Sequence, residues 1–190
     1  MKHRPSCYPK GRKVGVCFLI WFWNFVVYSL AGFVLEITYA RATGGRADRK
    51  CLLLLPLCPV YGLGACAILL LPGWVDASPL LLFALGGLTA TAAEYGVALF
   101  YAESFGVSFW DYRGLPGSIQ GRVCLPFSLV WGALALVLVY WVHPRLAPWL
   151  AAIPTPVTWL AAATVSFDMA LSALLLKRTG DRDCLKWYAA

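Results

Sequence analysis

The chain alternates long apolar runs with short charged connections, and five of the runs are candidates to cross a membrane. They extend from about Val14 to Ala40, Pro59 to Leu71, Pro79 to Ala102, Val123 to Val142 and Val157 to Leu176. Crossing a bilayer as a helix takes about 20 apolar residues at a rise of about 1.5 Å each. Four runs meet that length and the second does not. It becomes long enough only if Cys51 to Cys58 joins it, and Pro56 and Pro59 forbid a regular helix there. A kinked or re-entrant entry is therefore expected.

Polar and small residues inside the runs recur at helical spacing. Asn24, Tyr28, Gly32 and Glu36 follow one another every four residues, on one slowly winding face of a helix. Gly87, Thr91, Glu94 and Ala98 mark the third run, Cys124, Ser128 and Gly132 the fourth, and Thr164, Asp168 and Ser172 the fifth. Such stripes are where membrane helices pack closely, because lipid supplies no apolar force between them. The Ser, Thr and Gly positions can be explained by packing alone. The acids are harder to explain in that way. Of nine acidic residues, Glu36, Glu94, Glu103 and Asp168 lie inside or at the ends of apolar runs. A carboxylate at the bilayer centre costs roughly 3 kcal/mol on insertion scales and is kept where it faces a protein interior or a wet cavity. Glu36, Glu94 and Asp168 are thus expected to face one shared interior. Glu103, nine residues beyond Glu94, falls near the opposite face and is expected to reach water.

Five crossings bring these groups to one side. The first run leaves there past Glu36 and is followed by Arg41, Arg46, Asp48, Arg49 and Lys50. The third returns there with Glu94, ahead of Trp110, Asp111, Arg113 and Arg122, and the fifth ends there at Lys177 and Arg178. Arg49, Arg113 or Arg122 can then pair with carboxylates, and the loop around Trp110 and Tyr112 is either an aromatic anchor or a lid over the acidic interior, with Asp111 held by Arg113 or Arg122. Ten of the sixteen Lys and Arg residues fall on this side, which favours it as cytoplasmic, although five cations ahead of Val14 argue the other way. That basic N-terminal stretch has the character of a signal peptide, but the apolar run continues too far, so a retained anchor is expected. The organisation is a basic tail at 1–13, a helical membrane domain at 14–176 and a basic tail at 177–190.

Composition agrees with a polytopic, all-α transmembrane bundle. The chain is 61% hydrophobic and 13% charged, with mean hydropathy +0.70, too little polar material to clothe a soluble domain of 190 residues. The net charge of +7 lies in clusters between the runs, as topology signals and headgroup anchors, and not as a nucleic-acid surface. Seven cysteines without a C-x-x-C indicate neither a disulfide framework nor a zinc site. No catalytic triad, metal-binding His-Glu-x-x-His or Walker A phosphate loop appears, so no catalytic residue, cofactor or metal is assigned. So small a chain suggests a homo-oligomer or a complex. His143, before Pro144 at the end of the fourth run, reads as a surface residue.

Several segments together resemble a known family. They are Gly32 to Glu36, Asp48-Arg49-Lys50, the turn Pro56-Leu57-Cys58-Pro59-Val60-Tyr61-Gly62-Leu63-Gly64, Glu94-Tyr95, Phe109-Trp110-Asp111-Tyr112, Gly121-Arg122-Val123-Cys124-Leu125, Trp131-Gly132 and His143-Pro144. This combination resembles the ABC-transporter permease family of bacteria, the type IV or CmpB-like group, over about Ser29 to Ser172. Two departures stand out: Phe33 replaces the Trp of the family's Gly-Trp-x-x-Glu pattern, and Asp48-Arg49-Lys50 replaces Asn-Arg-Gly. The resemblance implies a multi-pass permease component of the plasma membrane, working with a separate ATPase subunit because this chain has no phosphate loop. The expected substrate or ion pathway is Glu36, Glu94, Asp168, Asp111, Arg49, Arg122 and Tyr61. A non-transporting scaffold or regulatory subunit, or an ion-coupled secondary transporter, remains the alternative.

Overall fold

The computed structural model describes residues 14–43 and 53–185, with side chains from Phe18 onward. The fold is all-helical. Its helices are α1 (Val14–Ala42), α2 (Pro59–Leu69), α3 (Pro79–Phe105), α4 (Leu125–Val137), α5 (His143–Ala151) and α6 (Thr155–Thr179). A π-helical turn, Leu138–Val142, joins α4 to α5. Four helices are long and apolar enough to span a membrane: Phe18–Ala42, Pro79–Phe105, Leu125–Ala151 and Thr155–Thr179.

Local sequence explains the boundaries. Ser78 caps α3 by accepting from the Leu81 amide, Pro79 stands in the first turn, and Gly106 ends the helix at φ 66°. Gly180 ends α6 in the same left-handed conformation. The fourth span differs from the sequence expectation, since it continues beyond Val142 to Ala151. Pro144 has no N–H for the α-helical ladder, and the wider π turn lies directly ahead of it, so the helix passes the proline without stopping.

The second apolar run has two unlike halves. Leu53 to Cys58 is non-helical, and α2 follows with only 11 residues, about 16 Å of rise. Helix α2 lies between α1 and α3, α3 packs along α4, and α6 touches α1 and α3. Two contacts identify the ends of the bundle. Arg182, just past α6, donates to the carbonyls of Ser108 and Phe109 in the loop after α3. At the opposite end Tyr140 donates to the Asp76 carbonyl between α2 and α3, at 2.8 Å. The outer surface is apolar, with Leu80, Leu88, Trp141, Trp149, Trp159 and Phe167 all exposed, as expected of a lipid-facing belt.

Asn24, Tyr28 and Gly32 face inward as their spacing predicts. On α6 the expected stripe is rotated: Thr164 is exposed and bonds back to the Leu160 carbonyl, while Thr158, Val165, Asp168, Ser172 and Leu176 are buried. Gly32 has a specific task. The Tyr61 ring occupies the space that a side chain at Gly32 would fill. Gly32→Ala is expected to displace Tyr61 and cost about 1–3 kcal/mol, read as a lower melting temperature in detergent, whereas Gly96→Ala, in open space on α3, is expected to leave it unchanged or slightly higher.

Candidate functional site

Two of the three interior acids converge. Glu36 on α1 accepts from the Tyr61 hydroxyl of α2 at 2.8 Å. The Tyr61 ring lies against the Trp131 indole of α4, with centroids 4.9 Å apart. Trp131 donates through Nε1 to Glu94 Oε2 at 2.9 Å, and Tyr112 from the loop after α3 donates to Glu94 Oε1 at 3.0 Å. Glu36, Tyr61, Trp131, Glu94 and Tyr112 therefore form one connected cluster contributed by four helices and a loop. Trp131 and Glu94 are buried and Glu36 is half-buried. Neutral donors, the Tyr112 hydroxyl and the Trp131 indole N–H, reach Glu94, and among the described residues Glu36 accepts at Oε1 only.

Asp168 is engaged elsewhere. Its two oxygens accept from the Leu55 amide at 3.2 and 3.3 Å, and Ser172, one turn along α6, accepts from the Leu54 amide at 3.1 Å. Cys58 completes the pattern by donating its amide to the Ser29 carbonyl of α1 at 2.9 Å. Pro56 and Pro59 keep this segment out of a helix, so its amides have no helical acceptors and are bonded elsewhere. Asp168 and Ser172 supply the missing acceptors, so in this structure Asp168 supports the broken crossing and does not join the Glu36–Glu94 cluster.

The loop between α3 and α4 presents two faces. Tyr112 points inward, its ring stacked on Phe127 at 4.8 Å and its amide bonded to the Gly121 carbonyl. Burial, and next the Glu94 carboxylate, push the Tyr112 hydroxyl up from its ordinary value, which keeps it a donor. Asp111 and Arg113 point outward and pair with each other, Nη2 to Oδ2 at 2.6 Å. This pairing holds the Asp111 carboxyl below the usual aspartate value, so the loop tie persists as pH falls into the ordinary aspartate range and releases only at lower pH. Arg122 reaches neither Asp111 nor an interior acid; its Nη1 donates to Gln120 and to the Tyr95 hydroxyl, with the guanidinium over the Tyr95 ring. Arg49 lies outside the described residues. Glu103 is exposed.

A family model described as Putative ABC-transporter type IV matches residues 23–175. The chain belongs to this family. No curated protein and no solved structure matches it significantly. The type IV match runs from Trp23 in α1 to Leu175 in α6 and contains the whole cluster. The motif pieces that carry the resemblance are distant in sequence but adjacent in space. Gly32 receives Tyr61, Glu36 binds Tyr61, Trp131 and Tyr112 bind Glu94, and Trp110 donates to the Arg122 carbonyl at 2.7 Å.

Sequence reasoning missed Trp131 and Tyr112 as partners of Glu94, reading Trp131 only as part of a motif and the loop around Tyr112 as either an aromatic anchor or a lid. It also misplaced His143. In this type IV chain His143 is partly buried, and its Nδ1 lies 2.9 Å from the hydroxyl of the buried Tyr28. The signal was available in the Asn24-Tyr28-Gly32 stripe, which demanded polar partners, but periodicity names a face and not the helix opposite. Among the described residues no group of three or more His, Cys, Asp or Glu could hold a metal ion.

Proposed function

We propose that the chain is a multi-pass permease-like component of an ABC-type transport system in the plasma membrane, with Glu36, Tyr61, Glu94 and Tyr112 forming the polar site on its pathway. The observation that carries this reading is the convergence of two intramembrane carboxylates through Tyr61 and Trp131 within a chain of this family. Glu36, which among the described residues meets the neutral Tyr61 hydroxyl, suits a cationic or hydrogen-bonding solute, which would find an acceptor at its Oε2. Arg122 braces the loop that carries Tyr112, and Asp111 fixes its outer turn through Arg113. Arg49 belongs to the charged connection nearest Glu36 in sequence. ATP hydrolysis falls to a separate subunit, for which the charged loops 41–50 and 105–122 offer the docking surface, and a homo-oligomer would complete a pathway too large for one chain of this size. The reading assigns the chain no catalytic role of its own.

A second reading has one observation in its favour. Asp168 shows that a buried acid here can serve the fold alone, as it would throughout a scaffold or regulatory subunit. Purification in mild detergent followed by reconstitution distinguishes the two. Co-purification of an ATPase, and solute flux that requires both ATP and this chain, are expected. Flux driven by an ion gradient without ATP would replace the ATP-coupled mechanism by a secondary one, and no flux in either condition would leave the scaffold.

A further inference from the structure

At the end of the bundle where α3 and α6 finish, a recess of about 320 Å³ opens between α3, the following loop and the turn after α6. Three guanidinium groups line it, from Arg113, Arg122 and Arg182, against one carboxylate, Asp111. Each arginine is tethered along one edge. Arg113 uses Nε and Nη2 on Asp111. Arg122 uses Nη1 on Gln120 and Tyr95. Arg182 uses Nη1 on two loop carbonyls, with Nε 3.9 Å from Asp183. Among the described residues this leaves Nη1 of Arg113, Nε and Nη2 of Arg122 and Nη2 of Arg182 as uncommitted donors on side chains each already held by at least one contact. Fixing donors beforehand reduces the entropy lost on binding. Several guanidinium donors converging from different directions match the distributed oxygens of a phosphate better than a single ammonium would. The wall on the α3 side is apolar and small, made by Ala98 and Ala102, with Trp110 beside them.

We propose that this recess binds a phosphate-bearing anion, its phosphoryl oxygens on Arg113, Arg122 and Arg182 and its carbon portion against Ala98, Ala102 and Trp110. The same chemistry is offered by an anionic phospholipid headgroup at the membrane boundary and by a soluble phosphate ester. This site stands apart from the carboxylate cluster, on the opposite face of the 106–122 loop, and does not depend on the transport reading.

The test uses the full chain, purified and delipidated, with native mass spectrometry to count bound phosphatidylglycerol against phosphatidylcholine of equal chain length, and titration with glycerol 3-phosphate. Phosphatidylglycerol is expected to bind at least tenfold more tightly than phosphatidylcholine. Arg122→Gln should weaken that binding at least tenfold, and so should Ala102→Leu, which fills the recess without changing charge. Arg113→Gln, at a side chain that is 81% exposed, gives a third variant with little risk to folding. Saturable glycerol 3-phosphate binding lost in the same variants, with no lipid preference, would assign the site to a soluble ester and uphold the proposal. Equal retention of the two lipids together with no glycerol 3-phosphate binding would overturn it. So would binding that survives both Arg122→Gln and Ala102→Leu.

Discussion

Glu36→Gln is expected to leave the fold intact while reducing transport by the reconstituted system by at least an order of magnitude, and Glu94→Gln to impair both. The difference follows from how each carboxylate is held. Among the described residues Glu36 accepts a single hydrogen bond, from Tyr61, and the one carbonyl oxygen of a glutamine can accept it equally well. Only the charge is removed. Glu94 accepts at both oxygens, from Tyr112 and from Trp131. A glutamine there must turn its amide N–H₂ toward one of these donors, which leaves a buried donor unmatched at about 1–3 kcal/mol. Melting temperature and flux together separate the two effects. Adding Tyr112→Phe to Glu94→Gln removes the surplus donor and should recover part of the lost stability, a non-additive result of the kind expected for residues in one network. Wild-type flux from Glu36→Gln would remove the carboxylate charge from the pathway.

Asp168→Ala is expected to be the more damaging substitution for the fold. It deletes the carboxylate that accepts from the Leu55 amide, and a hydrogen bond to a charged group contributes about 1.5–3 kcal/mol. Accumulation in the membrane should fall several-fold and the melting temperature should drop. Asp168→Asn retains a carbonyl oxygen and should restore most of the accumulation together with flux. Ser172→Ala, which removes the weaker acceptor of Leu54, should cost about 1 kcal/mol. If Asp168→Asn were as unstable as Asp168→Ala, the acceptor role would be wrong and the charge itself would be required.

The two acids differ in how far sequence could reveal them. Hydrophobic runs located all the long helices, since burial in lipid leaves a signal that needs no partner. The stripe on α1 correctly placed Asn24, Tyr28 and Gly32 inward, because a four-residue period defines a face. Which residue lies opposite was not legible. Trp131 is 37 residues from Glu94 and Tyr112 is 18 away, and their pairing depends on the relative height of two helices and on a loop that folds back into the bundle. Asp168 was expected to face Glu94 because a buried acid was assumed to meet other polar side chains. Its partner is a backbone amide exposed by two prolines, and no periodicity marks backbone demand. His143 was lost for a related reason: His-Pro reads as a stop, yet a π turn carried the helix onward.

The half-helical second crossing has a consequence for how the chain assembles. Leu53 to Cys58 is made early, yet the carboxylate that receives the Leu55 amide emerges 113 residues later, on α6. Until α6 arrives, Ser29 on α1 is the only one of the three described acceptors of the Leu54, Leu55 and Cys58 amides that the ribosome has already delivered. The crossing is therefore completed out of order. The hydrogen bonds of Leu54 and Leu55 to Ser172 and Asp168 wait for α6, made more than a hundred residues after the segment it supports.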